Sequence, residues 1–161
     1  RRLLLTQHYD LVVWIDDTVY ITGKDPDLLY EGLKHLLVPN THKYMYVPKN
    51  IHGAWNTGIL GLRPGYMAMR FIRNLFQTGH GQVNPKHEVW VPPPMSDREA
   101  VALWEQNNPQ ELEGVHFEEP GLVLSWSEQW QPGHFAADFG LEAARARHLL
   151  SSFVQQYGFG A

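Results

Sequence analysis

The sequence predicts an α/β fold with a mixed, mainly parallel sheet flanked by helices, in one domain that covers residues 1–161. The length of 161 residues suits a single domain with its own core. Hydrophobic residues make up 43% of the chain, including six Trp, seven Tyr and seven Phe, which is enough to fill that core. Short apolar runs alternate with helical patterns, as in other α/β folds.

The first half of the chain contains strand patterns and one helix pattern. The run from Leu11 to Ile15 is apolar on both faces, which is typical of a buried central strand of a parallel sheet. A helix follows, with Asp25 as its N-cap and Pro26 in its first position, and it stops before Pro39. Two short strands are predicted, at Tyr44 to Val47 and at Gly58 to Leu62.

The second half of the chain is mainly helical. Apolar residues at helical spacing predict a helix over "RPGYMAMRFIRNLFQTG". A loop rich in Gly and Pro follows, with a short strand at Val89 to Val91. Ser96 and Glu99 then form the capping box of another helix, and a last helix runs from Leu141 to Tyr157.

Charge and composition exclude several classes of protein. The net charge is -4 and the pI is about 6.1, so the chain has no electrostatic attraction for nucleic acid and no nucleic-acid partner is expected. A local acidic patch is expected to be a solvated loop face. Its members are Glu111, Glu113, Glu118 and Glu119. Because the chain contains no cysteine, it has no disulfide, thiolate nucleophile or cysteine zinc site.

Other patterns are missing from the sequence. No apolar run approaches the roughly 20 residues of a membrane span, so no span is expected within this chain. No G-x-S-x-G motif occurs, which argues against serine hydrolase chemistry. The nine histidines lack a metal-ligand spacing such as HExxH, so surface or loop positions are expected for them. His134 is the exception, because it adjoins a candidate binding site.

Two adjacent carboxylates, Asp16 and Asp17, follow the first strand directly. Ligands of open α/β sheets bind at the carboxyl ends of strands, so this is a position where chemistry is expected. Two anions at a strand end repel each other unless a cation or several hydrogen-bond donors meet them. Mg²⁺ and Mn²⁺ prefer such oxygen ligands. The alternative, which the pair alone leaves equally open, is that both residues cap the amides of a turn.

Four segments in order resemble GT-A fold glycosyltransferases. "YDLVVWIDDTVYIT" is similar to the family's strand and Asp-x-Asp motif, and "WNTGILGLRPG" to its Asn-x-Gly segment. "MSDREAVALW" resembles a later helix of that family, and "WQPGHFAADFG" resembles the terminal Pro-Gly-Asp-Phe-x-x-His-Phe-x-Gly pattern. The similarity is to the galactosyl, mannosyl and xylosyl transferases of the fungal galactomannan and plant xyloglucan type.

The resemblance implies a fold, an activity and a set of site residues. The fold would be the C-terminal part of a GT-A domain. The activity would be metal-dependent transfer of a sugar, with retention, from a nucleotide diphosphate sugar to a glycan or protein acceptor in the Golgi or ER lumen. Mn²⁺ or Mg²⁺ would be held by Asp16, Asp17, Thr18 and Asp138. Substrate would be bound by Trp55, Asn56, Thr57, Gly58, Trp130 and Gly140, with Asp97 and His134 as catalytic residues.

Simpler structural roles remain open for several of these residues. Asn56 to Gly58 would also suit an Asx turn, and Asp97 would also suit a helix cap. Trp55 and Trp130 would pack against sugar rings in the functional interpretation and inside the core in the structural one.

The sequence also departs from the family pattern. Thr18 stands where the third Asp-x-Asp position has a carboxylate, Asp138 stands where the family has its metal-binding His, and His134 where it has Asp. Only fifteen residues precede Asp16, so the nucleotide-binding half is expected to be missing and the domain incomplete at its N-terminus. The alternative function is therefore an inactive GT-A-like structural subunit or interaction module, with a partner chain covering the missing half. A third candidate is a carbohydrate-binding module that uses Trp rings.

Overall fold

The structure, a computed structural model, is an α/β fold in which a mixed four-stranded sheet is flanked by helices. It describes residues 8–23, 27–80, 96–119, 123–126, 130–132, 134–139 and 143–157. The strands are Val12–Ile15 (β1), Val19–Ile21 (β2), Met45–Pro48 (β3), Ile59–Leu62 (β4), Val115–Glu118 (β5), Leu124–Trp126 (β6) and Ala136–Asp138 (β7). The helices are Asp27–Leu37 (α1), Tyr66–His80 (α2), Asp97–Asn107 (α3) and Ala143–Tyr157 (α4), with a 3-10 helix at Pro109–Gly114.

The described strands form two sheets. The larger sheet has the order β1-β4-β3-β5, and the smaller one has the order β2-β7-β6. The pairs β1-β4, β3-β4 and β2-β7 are antiparallel, whereas β3-β5 and β6-β7 are parallel. The prediction of a mixed sheet is confirmed, but the prediction that it is mainly parallel is wrong for these strands. A short connection joins β3 to β4 without a crossover helix, and such a connection requires antiparallel neighbours.

Strand β1 is not the buried central strand that its composition predicts. It lies at one end of the larger sheet, and its side chains are half-buried at Val12 and exposed at Trp14 and Ile15. An apolar pattern on both faces indicates that a strand suits the interior of a sheet. The pattern does not determine which other strands pair with it.

The core lies on both faces of the larger sheet. One face carries a cluster that includes Trp55, Phe71, Trp104 and Val115, which joins α2 and α3 to the sheet. The opposite face packs on α1 and on the smaller sheet. Its buried members are Leu33, Leu36, Tyr46, Ile59, Val123, Leu124, Phe135 and Ala136. Successive residues of β3 alternate between these clusters, as the pleat of a strand requires.

The predicted helices agree with the structure where the chain is described. The capping box is confirmed: the Ser96 hydroxyl accepts from the N–H of Glu99, and the Glu99 carboxylate accepts from the N–H of Ser96. The last helix is described from Ala143 to Tyr157, and its predicted start at Leu141 lies outside the described residues. The predicted cap at Asp25 and the strand at Val89 to Val91 lie outside the described residues.

The described helices include none that is long and apolar enough to cross a membrane.

The acidic patch predicted on a solvated loop is only partly solvated. Glu113 and Glu119 are exposed, but Glu111 is buried in the 3-10 helix. The expectation of a solvated side chain is therefore wrong for Glu111. Its carboxylate faces Arg70 of α2, whose Nη2 lies 2.8 Å from Oε1, and only tertiary packing brings that partner close.

Two histidines stack where α1 meets β5. The rings of His35 and His116 have centroids 4.0 Å apart and are inclined by 28°. Burial lowers the pKa of His116, and the nearby His35 and Lys43 lower it further. The predicted surface or loop position is wrong for His116, which is a half-buried residue of β5.

This stack makes stability dependent on pH. The folded pKa of His116 lies below the unfolded value of about 6.5, so the unfolded state binds more protons as the pH falls through that value. The contribution of neutral His116 to the free energy of unfolding is present above about pH 6.5 and is lost in more acidic solution. Urea unfolding should therefore show a lower free energy at about pH 5.5 than at about pH 8. The difference should shrink in His116→Asn and remain in His52→Asn, which changes an exposed loop residue.

Candidate functional site

A turn formed by Asp16, Asp17 and Thr18 connects β1 to β2. The N–H of Asp16 donates to the carbonyl of Gly58 at 2.8 Å, which continues the pairing of β1 with β4. The N–H of Asp17 donates to Asp16 Oδ1 at 2.7 Å. Asp17 itself is exposed and Asp16 is half-buried. The Asp16 carboxylate therefore caps an amide of its own turn, which is the structural role left open by the sequence.

Strand β7 brings Asp138 to this turn. Asp138 pairs with Val19 in the register of β2 and β7, and the N–H of Phe139 donates to the carbonyl of Thr18 at 3.1 Å. The Thr18 hydroxyl donates to Asp138 Oδ1 at 3.2 Å. Asp138 is only 4% exposed. Residues that are 120 positions apart in the sequence thus meet, and a buried carboxylate lies beside the acidic turn.

Gly58 is the third component of this site. A Cβ at this position would lie 2.9 Å from Asp138 Oδ2 and 2.9 Å from a methyl carbon of Val19. The side-chain oxygen of Asn56 accepts from the N–H of Gly58 at 3.1 Å, so Asn56 forms the Asx turn considered from the sequence. Asn56 is buried, and its Nδ2 has no hydrogen-bond partner among the described residues. It is a buried donor for which the described residues provide no acceptor.

Replacement of Gly58 with alanine should disturb the site directly. Because the added methyl group has no room beside Asp138 and Val19, we expect a loss of about 1–3 kcal/mol in the free energy of unfolding, measured in urea. The double variant Gly58→Ala/Val19→Ala removes one of the two close contacts and should recover part of that loss. Equal stability of Gly58→Ala and the wild type would show that the close approach does not exist.

The two tryptophans assigned to substrate binding lie inside the core. Trp55 is 6% exposed and makes ring contacts with Phe71, Trp104 and Phe117. Trp130 is also 6% exposed. Its Nε1 donates to the Thr22 hydroxyl at 2.9 Å. The structural role considered for these rings therefore describes both, since neither presents a ring face to solvent.

His134 contacts its own turn. The N–H of Gln131 donates to His134 Nδ1 at 3.2 Å, so the neutral imidazole carries its proton on Nε2. Burial lowers the pKa of His134, which favours this neutral form.

The other predicted site residues lie elsewhere. Thr57 lies half-buried between Asn56 and Gly58. Asp97 is the first residue of α3, and Gly140 lies outside the described residues.

Thr22 is a buried polar residue that the sequence did not single out. Its hydroxyl donates to the carbonyls of His134 and Phe135, at 2.9 and 3.1 Å, and accepts from Trp130 Nε1. These hydrogen bonds connect the residue after β2 to the two residues that precede β7. Threonine is common in strands and directly beside them. Nothing in its sequence neighbours identifies this role.

The acidic turn and Asp138 offer oxygen donors to a cation. Among the described residues, no group of three or more His, Asp or Glu is arranged to hold a metal ion. Mg²⁺, however, is usually held by one or two carboxylates, while waters and substrate phosphates provide its other ligands. A cation bound here by Asp16, Thr18 and Asp138 would need further ligands from water or from a bound molecule.

Comparison of the chain with protein-family models, curated proteins and solved structures finds no match. The resemblance to GT-A glycosyltransferases therefore stays a prediction.

Proposed function

We propose that this chain is a metal-dependent glycosyltransferase, which moves a sugar with retention from a nucleotide diphosphate sugar to a hydroxyl of a glycan or protein. The observation that carries the proposal is the hydrogen bond from Thr18 to the buried Asp138 carboxylate. It supports the proposal because it sets a third carboxylate beside those of Asp16 and Asp17, where an α/β sheet is expected to bind its ligand.

Asp16 and Asp138 would hold Mn²⁺ or Mg²⁺, with Asp17 and Thr18 beside them. The bound cation supplies neutralisation of the negative charge that develops on the leaving diphosphate. Thr18 orients the Asp138 carboxylate through its hydroxyl, and burial keeps that carboxylate in one position.

The Asn56 amide extends this chemistry to the sugar. Asn56 Nδ2 is a buried donor without a described partner, and such a group favours an acceptor that arrives with the ligand. A sugar hydroxyl is an acceptor of this kind. The Gly58 backbone, which has no Cβ, leaves room for Asp138 beside it.

Calorimetry tests this proposal. UDP and GDP are titrated into the chain with and without Mn²⁺, and we expect binding heat with at least one nucleotide only when the metal is present. Asp16→Asn and Asp138→Asn should each weaken that binding by more than about tenfold. Glu113→Gln, which changes an exposed carboxylate in the 3-10 helix, is the control and should bind as the wild type does. Absence of metal-dependent heat, or unchanged affinity in both Asp variants, would refute the proposal.

A second candidate is an inactive GT-A-like structural subunit or interaction module. Both carboxylates have protein donors: Asp17 N–H for Asp16 and the Thr18 hydroxyl for Asp138. A site of this kind is stable without a cation. This candidate requires that neither Mn²⁺ nor a chelator, with or without nucleotide, changes the melting temperature of the wild type. A metal-dependent rise in that temperature would exclude it.

A further inference from the structure

Strand β1 is an edge strand without the features that usually protect an edge. Among the described strands it pairs only with β4, through four consecutive residue pairs and without a bulge. Its sequence, VVWI, contains no charge and no proline. Natural edge strands usually carry lysine, proline or a bulge that prevents another strand from pairing with them.

The free side of β1 presents backbone hydrogen-bonding groups. In an antiparallel pair, the residues of each strand turn alternately toward the partner and away from it. The N–H of Asp16 donates to Gly58, so Trp14, two residues earlier, also turns its N–H and C=O toward β4. Val13 and Ile15 therefore turn theirs outward, where no described strand meets them.

Side chains are exposed on both faces of β1 at the same end. Trp14 is 60% exposed and Ile15 is 39% exposed, and as neighbours in a strand they point to opposite faces of the sheet. A helix packed on the sheet would cover only one of them. A strand that extends the sheet brings side chains beside both, so the exposure favours an added strand.

The charges around β1 determine which strand fits. Asp10 lies before β1, and Asp16 and Asp17 lie directly after it, so both ends of the free edge are acidic. A second copy of this chain is a poor occupant. In an antiparallel pair of two β1 strands, the outward residues Val13 and Ile15 of one copy must lie opposite the outward residues of the other. With the two Val13 residues opposite each other, Asp10 of each copy would face Asp16 of the other. Like charges opposite each other destabilise a pair of strands. With Val13 opposite Ile15, Asp16 of each copy would face the apolar Val12.

We propose that the free edge of β1 binds an extended segment of a partner protein, with an apolar centre and lysine or arginine at both ends. The segment adds a strand to the larger sheet and forms backbone hydrogen bonds with Val13 and Ile15. Its apolar side chains cover Trp14 and Ile15, and its basic ends face the aspartates. This interaction requires neither a metal nor a nucleotide, so it stands independently of the proposed enzymatic activity.

Fluorescence anisotropy with a labelled synthetic peptide tests the inference. The probe has the sequence Lys-Lys-Val-Tyr-Val-Ile-Lys-Lys with blocked ends, and the chain is titrated into it. We expect saturable binding, weakened about tenfold or more when glutamates replace the lysines at low salt. That difference should narrow at high salt, because salt screens exposed charges.

Variants of the chain separate edge pairing from nonspecific adhesion. Val13→Pro removes an outward N–H and leaves the hydrogen bonds of Trp14 to β4, so it should fold and lose peptide binding by about tenfold or more. Trp14→Thr should weaken binding. Tyr66→Thr changes an exposed aromatic residue of α2 and is the control, with unchanged binding expected.

A peptide that is N-methylated at alternate residues provides the same test on the wild-type chain, whether or not Val13→Pro folds. The methylated peptide should fail to bind when its methyl groups replace the N–H hydrogens that would face β1. Equal binding of the methylated and unmethylated peptides, or unchanged binding by folded Val13→Pro, would overturn the inference. Sedimentation that shows a dimer of the chain, lost in Val13→Pro, would assign the edge to a second copy and also overturn it.

Discussion

Replacement of Arg70 with methionine is expected to lower the free energy of unfolding by about 3 kcal/mol. Glu111 is the reason, because its side chain is only 3% exposed and Arg70 Nη2 lies 2.8 Å from its Oε1. Neither carboxylate oxygen receives a hydrogen bond of normal geometry from a described residue. Without Arg70 the charge would stay buried and uncompensated. The Arg70 side chain is 36% exposed, so the lower end of the usual range applies.

A double-mutant cycle shows whether the effect comes from the pair. Arg70→Met/Glu111→Leu should be clearly more stable than Arg70→Met alone, because an apolar pair leaves no buried charge. Arg73→Met is the matched control, since Arg73 is an exposed residue of the same helix. All variants are compared by urea unfolding. If Arg70→Met and Arg73→Met are equally stable, the Glu111 carboxylate does not depend on Arg70.

Replacement of Trp104 with alanine is expected to cost about 4 kcal/mol. Trp104 is almost fully buried. Its ring packs edge-to-face with the rings of Phe71 and Trp55, at centroid distances of 4.9 and 5.7 Å. Alanine would leave a cavity where α3 packs on the larger sheet. Leu103→Ala, at the exposed neighbouring position, should cost much less in the same urea measurement.

Trp104→Phe distinguishes ring packing from hydrogen bonding. The Nε1 of Trp104 is buried and has no hydrogen-bond partner among the described residues. Its removal should therefore cost little beyond the smaller ring, and Trp104→Phe should be markedly more stable than Trp104→Ala. Equal losses in both variants would mean that the indole N–H makes an important hydrogen bond.

Local signals in the sequence predicted the helices well. The capping box of Ser96 and Glu99 requires residues three positions apart, and the structure contains it as predicted. Helical spacing of apolar residues likewise predicted α2. These features depend on neighbouring residues, so a single sequence contains the information for them.

Contacts between residues that are distant in the sequence were harder to predict. The apolar composition of β1 predicted a central strand, yet β1 is an edge of the described sheet, because sheet order depends on which distant strands pair. The same limit applied to Glu111. Its sequence neighbours, Gln110 and Leu112, do not indicate a cationic partner, and only the fold places Arg70 next to it.

The candidate site shows both outcomes. The resemblance to a family predicted that Asp138 belongs with Asp16 to Thr18, and the structure does bring Thr18 and Asp138 into contact. No spacing rule could give that contact, since it joins residues 120 positions apart. The hydrogen bond between Trp130 and Thr22 could not be predicted for the same reason, because it joins residues 108 positions apart.

The site is divided between the two sheets, since Asp16 follows a strand of the larger sheet and Asp138 ends a strand of the smaller one. The smaller sheet has a cluster of its own around Trp130 and Phe153. Units of this kind can open locally at a lower free energy than global unfolding. Such a fluctuation would carry Asp138 away from the acidic turn while the core on the other face of the larger sheet, around Trp104, persisted. The rate of amide hydrogen exchange in β7 would then report how often Asp138 leaves the acidic turn. A melting curve does not report this.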